Sequence, residues 1–191
     1  MSPPAVEVLG DHDLIRLSAA DPEAFGQIFD RHAATIHRYL ARRVGPLLAD
    51  DLTAETFLIA FRNRDKYDMS YEDGRPWLYG IAANLLRGHQ RAEVRQYRAL
   101  ARTGVDPVYD SSEDSDARVT AADDVRALAG VLAKLPAGER DVLTLIAQAQ
   151  LSYPEVARAL NIPVGTVRSR LHSARKRVRE ALPAPEGPDH E

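Results

Sequence analysis

The 191-residue chain has no cysteine, one tryptophan, two methionines and only 6% aromatic residues. Without cysteine there is no disulfide framework, no thiolate zinc site and no cysteine nucleophile. That fits a reducing cytosol, so a cytoplasmic location is expected. No stretch approaches the roughly 18 apolar residues of a membrane span, and no membrane insertion is expected. Met1 to Asp13 has neither a basic start nor an apolar run, which argues against a signal peptide. No glycine-rich phosphate loop and no Ser/His/Asp grouping stands out. The chain is therefore expected to be no enzyme, with no cofactor and no metal. Asp50, Asp51 and Glu55 are ligand types, but no His or further acid is spaced to complete a site. β-rich and repeated segments are also missing.

Helical periodicity is what the sequence does contain. The most informative stretch runs from Leu151 to Arg177 and reads as a helix-turn-helix. Ser152 can cap a first helix, and Glu155 three residues on completes a capping box. Pro154 falls in the first turn, where its missing N–H costs nothing. Asn161 suits a left-handed C-cap, and Ile162-Pro163 blocks continuation. A second helix starts near Val164, with Val164, Val167, Leu171, Ala174 and Val178 on one apolar stripe. Its other face carries Thr166, Ser169, His172, Ser173 and Lys176, flanked by Arg168, Arg170, Arg175 and Arg177. Short polar groups facing base edges, with cations reaching phosphates on either side, suit a helix in the major groove. A solvated charged face would alternate in sign. Here Arg168, Arg170, Arg175, Lys176, Arg177 and Arg179 face a single acid, Glu180. The net charge of −3 is an average over an uneven chain.

Upstream, Asp21-Pro22-Glu23 is a helix start. Phe25, Ile28, Phe29, His32, Ile36, Tyr39, Leu40 and Val44 then recur at helical spacing until Gly45-Pro46 stops the run. A second helix is expected from about Asp50 to Arg64, then a loop from Asp65 to Gly74. Pro76 opens a third helix, with Leu78, Ile81, Ala82, Leu85 and Leu86 buried. This helix also presents Trp77, Asn84, Arg87, Arg91 and Arg95 at three-to-four spacing, with Tyr79 nearby. Aromatic rings beside a cationic track suit single-stranded nucleic acid, where bases stack and arginine holds the backbone. A core tryptophan beside solvated arginines is the competing reading of the same residues.

Composition then changes: Gly104, Pro107, Ser111, Ser112 and Ser115 break the periodicity, and Asp106, Asp110, Glu113, Asp114 and Asp116 make the segment acidic. Periodicity resumes with Val125, Leu128, Ala129, Leu132 and Leu135, and again with Val142, Leu145, Ile146 and Ala149. The expectation is an all-α protein of two small helical domains joined by a flexible acidic linker, the second domain ending in the helix-turn-helix. The boundaries are an N-terminal segment at 1–20, a first domain at 21–98, the linker at 99–124, a second domain at 125–182 and a disordered tail at 183–191.

Leu135-Pro136-Ala137-Gly138-Glu139-Arg140-Asp141-Val142-Leu143, Leu151 to Ala157 and Pro163 to Leu171 together resemble the C-terminal domain of bacterial extracytoplasmic-function sigma factors. Asp50 to Leu58 resembles that family's core-polymerase-binding helix, and Pro76 to Asn84 its promoter-melting segment. The resemblance spans roughly residues 11–182. It implies a subunit that directs RNA polymerase to promoters, with core RNA polymerase and promoter DNA as partners and an anti-sigma factor as regulator. It assigns Asp50, Asp51, Leu52, Glu55, Phe57 and Leu58 to the polymerase clamp. Trp77, Tyr79, Asn84, Arg87 and Arg91 fall to the opened strand at the minus-ten element. Thr166, Arg168, Ser169, Arg170, His172, Ser173, Arg175 and Lys176 fall to the duplex minus-thirty-five element. Ser173 stands where many relatives carry a basic residue, and Gly80 and Gly88 make the melting helix less rigid than alanine would. A polymerase-independent helix-turn-helix regulator is the alternative, but it has no use for a clamp-binding face or a strand-capture site.

Overall fold

The structure, a computed structural model, describes residues 9–104 and 115–182, with side chains from 123 onward in the second range. Helices alone make up the regular structure among these residues. They are α1 (Asp11–Leu17), α2 (Gly26–Val44), α3 (Pro46–Arg62), α4 (Arg75–Gly88), α5 (Gln90–Thr103), α6 (Ser115–Lys134), α7 (Ala137–Ala147), α8 (Tyr153–Leu160) and α9 (Val164–Ala181). Short 3-10 turns at Pro22–Phe25 and Arg64–Lys66 precede α2 and follow α3. Asp21 caps the first of these turns by accepting the Glu23 N–H at 3.1 Å.

Helices α2 and α3 reverse at Gly45, whose φ of +87° disfavours any side-chain-bearing residue. Pro46 then opens α3 four residues earlier than the Asp50 start expected from the sequence, because the tight turn leaves no loop between them. The third expected helix is two. The chain breaks at His89 (φ −113°, ψ 20°), which separates α4 from α5 and cuts the arginine row between Arg87 and Arg91. The N-terminal segment expected at 1–20 contains α1. Its Asp11 carboxylate, buried at 6% exposure, accepts from Arg31 at 2.5 Å, His32 at 2.8 Å and the Gly74 N–H at 3.0 Å. Burial pushes that carboxyl up, but the His32 hydrogen bond and charge, with Gly74 and Arg31, outweigh it and hold it at about 2.

The acidic linker is also shorter than its composition indicates: α5 runs to Thr103 and α6 begins at Ser115. Serine and aspartate near a helix start are tolerated as first-turn residues, which composition alone does not distinguish from a linker. Residues 105–114 of that segment and the expected tail at 183–191 lie outside the described residues.

The two helical sets, α1–α5 and α6–α9, share a core. Leu14, Ile28, Leu40, Leu52, Leu78 and Leu86 of the first set and Val142, Leu145, Val156 and Val167 of the second belong to one contiguous cluster. A smaller cluster joins Tyr97 and Leu100 of α5 to Ala129, Leu132 and Leu135 and to Ala174 of α9. Between these clusters lies a buried ionic network. Arg43 of α2 donates to Glu93 of α5 at 2.6 Å, to Asp141 of α7 at 2.5 Å and to the Tyr39 hydroxyl. Arg140 of α7 donates to the other Glu93 oxygen at 3.1 Å and to the Leu132 and Leu135 carbonyls. All four charged residues are at most 5% exposed. Burial alone would lower the Arg43 pKa, but Tyr39, Glu93, Tyr97 and Asp141 around it raise it well above its ordinary value. Burial pushes the Tyr39 hydroxyl up to about 12.

Candidate nucleic-acid interface

Helix α8 starts as its sequence dictates. Glu155 reaches back to accept the Ser152 N–H and hydroxyl, each at 2.6 Å. Asn161 closes it in the left-handed region (φ 51°, ψ 53°), and α9 departs from Pro163. Val167, Leu171 and Ala174 are buried at no more than 2% exposure, which fixes the rotation of α9 about its axis. Arg168, Ser169, His172, Arg175 and Lys176 are consequently exposed, while Thr166, Arg170 and Ser173 are half-buried.

The stretch from Thr166 to Lys176 does not act as one uniform face. Ser169 turns its hydroxyl back onto the Thr166 carbonyl at 3.1 Å. Lys176 stands 3.8 Å from Glu180, an exposed pair of little energetic weight. Arg168, His172 and Arg175 rim a groove of about 600 Å³ floored by Leu128, Leu132 and Leu143. Arg170 turns the other way, packing over Gly138 toward α4. Cations outside the apolar stripe and polar groups between them form an outward face suited to duplex DNA.

The strand-capture candidates divide. Trp77 is half-buried, its ring 5.2 Å from that of Tyr67 and tilted by 60°. Asn84 and Arg87 are exposed on the same helix. Arg91 is exposed too, but on α5 beyond the break. Tyr79 is only 4% exposed and stands edge-on to Tyr39 at 5.2 Å; burial raises its hydroxyl pKa. As folded, Tyr79 is a core ring and offers no face to a base. The sequence alone does not separate it from Trp77, because each lies about 100° from Leu78, on opposite flanks of the buried stripe, and only the neighbouring helices decide which flank is covered.

On α3 a similar division holds. Asp50, Asp51, Glu55 and Leu58 are exposed, with Asp50 accepting from His37 at 2.9 Å. Leu52 and Phe57 are 2% and 5% exposed and belong to the core. The side chain that takes Phe57's place at the surface is Phe29 of α2, 45% exposed and edge-on to Phe57 at 4.9 Å. Phe29 recurs at helical spacing with the apolar positions of α2, and in the fold it lies at the edge of that set, not within the core. Tyr71, in the loop expected from Asp65 to Gly74, carries the Arg158 guanidinium 3.7 Å from its ring centroid. Among the described residues no group of His, Asp and Glu could hold a metal ion, and no helix is long and apolar enough to cross a membrane.

Two family models match the chain, sigma-70 region 2 over residues 28–96 and sigma-70 region 4 over residues 126–178. The chain is 31% identical to the ECF RNA polymerase sigma factor SigW of Bacillus subtilis, covering 87% of this chain and 93% of that protein. It is 34% identical to the RNA polymerase sigma factor CarQ of Myxococcus xanthus, over 84% and 90% of the two chains. With the ECF RNA polymerase sigma factor BldN of Streptomyces coelicolor it shares 31% identity, spanning 64% of that relative's length. Among solved structures, CnrH in complex with the cytosolic domain of CnrY superposes with a TM-score of 0.63 at 26% identity, covering 89% of this chain and 95% of that one.

Proposed function

The chain belongs to the extracytoplasmic-function sigma factors of RNA polymerase, and from that premise we propose how its surfaces divide the work. A sigma factor directs core polymerase to specific promoters and initiates transcription there. Here α9 reads the duplex minus-thirty-five element through Arg168, Ser169, His172, Arg175 and Lys176. Trp77, Asn84 and Arg87 of α4 receive the opened strand at the minus-ten element. The exposed acids of α3, Asp50, Asp51 and Glu55, with Leu58, meet the polymerase clamp. Tyr79, Leu52 and Phe57 support these surfaces from the core. The protein works in the cytoplasm as a non-catalytic subunit, held in reserve by an anti-sigma factor.

The observation that carries this reading is the rotation of α9: its apolar stripe is buried and its cations face outward. The test is run-off transcription with purified bacterial core polymerase on promoters selected from a randomised library. Specific transcripts are expected only when this chain is added. Duplex binding without any polymerase-dependent transcript would favour a regulator that acts alone.

A further inference from the structure

Helix α1 lies across both ends of the connection that leads from α3 to α4. Leu14 and Ile15, at most 1% exposed, seat it in the core. At one end the Ser18 carbonyl accepts from Arg64 Nε at 3.2 Å, just after the chain leaves α3. At the other end Asp11 Oδ2 accepts the Gly74 N–H at 3.0 Å, and the His12 N–H donates to the Glu72 carbonyl at 3.3 Å. From α2, Arg31 reaches Asp11 Oδ1 at 2.5 Å and His32 reaches Oδ2 at 2.8 Å. A carboxylate accepts on both oxygens, and all three neighbours donate. An amide in its place would turn a donor onto one of them.

Gly74 is the residue on which α4 starts. Its carbonyl accepts the Leu78 N–H at 3.1 Å, the opening bond of that helix, and beside it Asp73 accepts the Arg75 N–H at 2.8 Å. A Cβ on Gly74 would lie 3.1 Å from Asp11 Oδ2 and 3.3 Å from the Asp11 Cβ. Its φ of −76° suits any residue, so the missing side chain serves the approach of Asp11 and not the backbone conformation. Trp77 stands one turn further on, in the first turn of α4. Its ring rests on Tyr67, whose hydroxyl donates to the Tyr71 carbonyl at 2.7 Å. Where Trp77 points is therefore set by where Gly74 is held, and Asp11 holds it.

We propose that Asp11 is a positioning residue for promoter opening: through Gly74 it fixes the start of α4 and so holds the Trp77 ring in the orientation that receives an unstacked base of the opened strand. The physical gain is preorganisation, since a ring already oriented needs no ordering when the base arrives. Asp11 itself is buried and meets neither DNA nor polymerase. This inference rests on the assignment of Trp77 to the opened strand.

Trp77 is the only tryptophan, so the fluorescence of the full chain reports on this ring alone. Asp11→Ala removes the acceptor, and Gly74→Ala crowds it from the side of the connection. Arg31→Ala is the control: Arg31 bonds Asp11 and the Leu9 carbonyl but not Gly74. With helicity unchanged, Asp11→Ala and Gly74→Ala are expected to raise acrylamide quenching of Trp77 in the free chain. In the holoenzyme both are expected to form closed complexes as the parent does. Their permanganate-detected opening is expected to fall about tenfold, the size of one weakened base stack. Arg31→Ala is expected to match the parent in both measurements. Added to Trp77→Ala, Asp11→Ala is expected to bring no further opening defect, because residues that act through one ring do not add. Unchanged quenching in both variants, or additive opening defects, would overturn the positioning role. Raised quenching with normal opening would overturn its consequence for the promoter. Normal opening by Trp77→Ala alone would instead overturn the strand-capture reading on which the inference rests. Gly74→Ala decides alone if Asp11→Ala does not fold.

Discussion

Single side chains separate where burial and function compete. Trp77 packs on Tyr67 but keeps part of its ring in solvent, so the core contact and the proposed strand contact draw on one residue. Opening a promoter replaces lost base stacking with ring contacts worth about 1–3 kcal/mol per base. Trp77→Ala is expected to form the closed polymerase–promoter complex, fail in permanganate-detected opening, and recover on a premelted bubble template. A loss of thermal stability without rescue by the bubble would assign the ring to the core alone. Asp11 provides a second test at this scale. Its carboxyl is held at about 2 against an ordinary 3.8, so its ionised form is preferred in the folded chain. The resulting stabilisation, about 2 kcal/mol, is complete above pH of about 4 and is lost as pH falls toward 2. Urea unfolding of the parent and Asp11→Asn across that range is expected to show a stability gap that narrows as the pH is lowered.

At the scale of elements, a helix's role follows from which stripe the core takes. On α9 the stripe Val167, Leu171 and Ala174 leaves Arg168 outward, at the rim of the face proposed to meet base edges. Arg168→Ala is expected to cost about 1–3 kcal/mol of holoenzyme–promoter affinity if its guanidinium holds a base through two hydrogen bonds. Titration at fixed salt with matched and scrambled minus-thirty-five sequences reads both affinity and selectivity. On α3 the same logic leaves Asp51 and Glu55 one turn apart on the exposed side. Reversing both to lysine is expected to abolish co-purification with core polymerase while circular dichroism stays unchanged. The start and stop of α8 were legible in residues, because the Ser152–Glu155 box and the left-handed Asn161 act over a few positions. The break at His89 was not. Gly88 beside it is a weak stop signal, and no proline or N-cap residue follows to mark a new helix start.

Over the whole molecule the two helical sets behave as one packed body through shared cores and the network around Arg43. Glu93 is the acid that faces both arginines. Glu93→Ala leaves two buried guanidinium groups short of a counter-ion, and removal of one partner from such a set costs about 3–5 kcal/mol. Thermal unfolding followed at 222 nm is expected to drop accordingly, with α1–α5 and α6–α9 losing cooperativity. A change under 1 kcal/mol would show that the network is open to water in solution.

Local sequence suffices for the helix class, the helix-turn-helix with its caps, the outward cations of α9 and the family likeness. Each of these rests on interactions within a few residues or on periodicity along one helix. Tertiary structure alone decided that Tyr79, Leu52 and Phe57 are core while Phe29 is at the surface, because a helix stripe has a centre and edges that only its neighbours define. It alone paired Arg43 with Glu93 and Asp141, 50 and 98 residues away, where charge in the sequence reads as surface. And it alone gave Gly80 its meaning: read along the chain it is a weak spot in a helix, whereas against Ala159 it is the one residue small enough for two helices to meet.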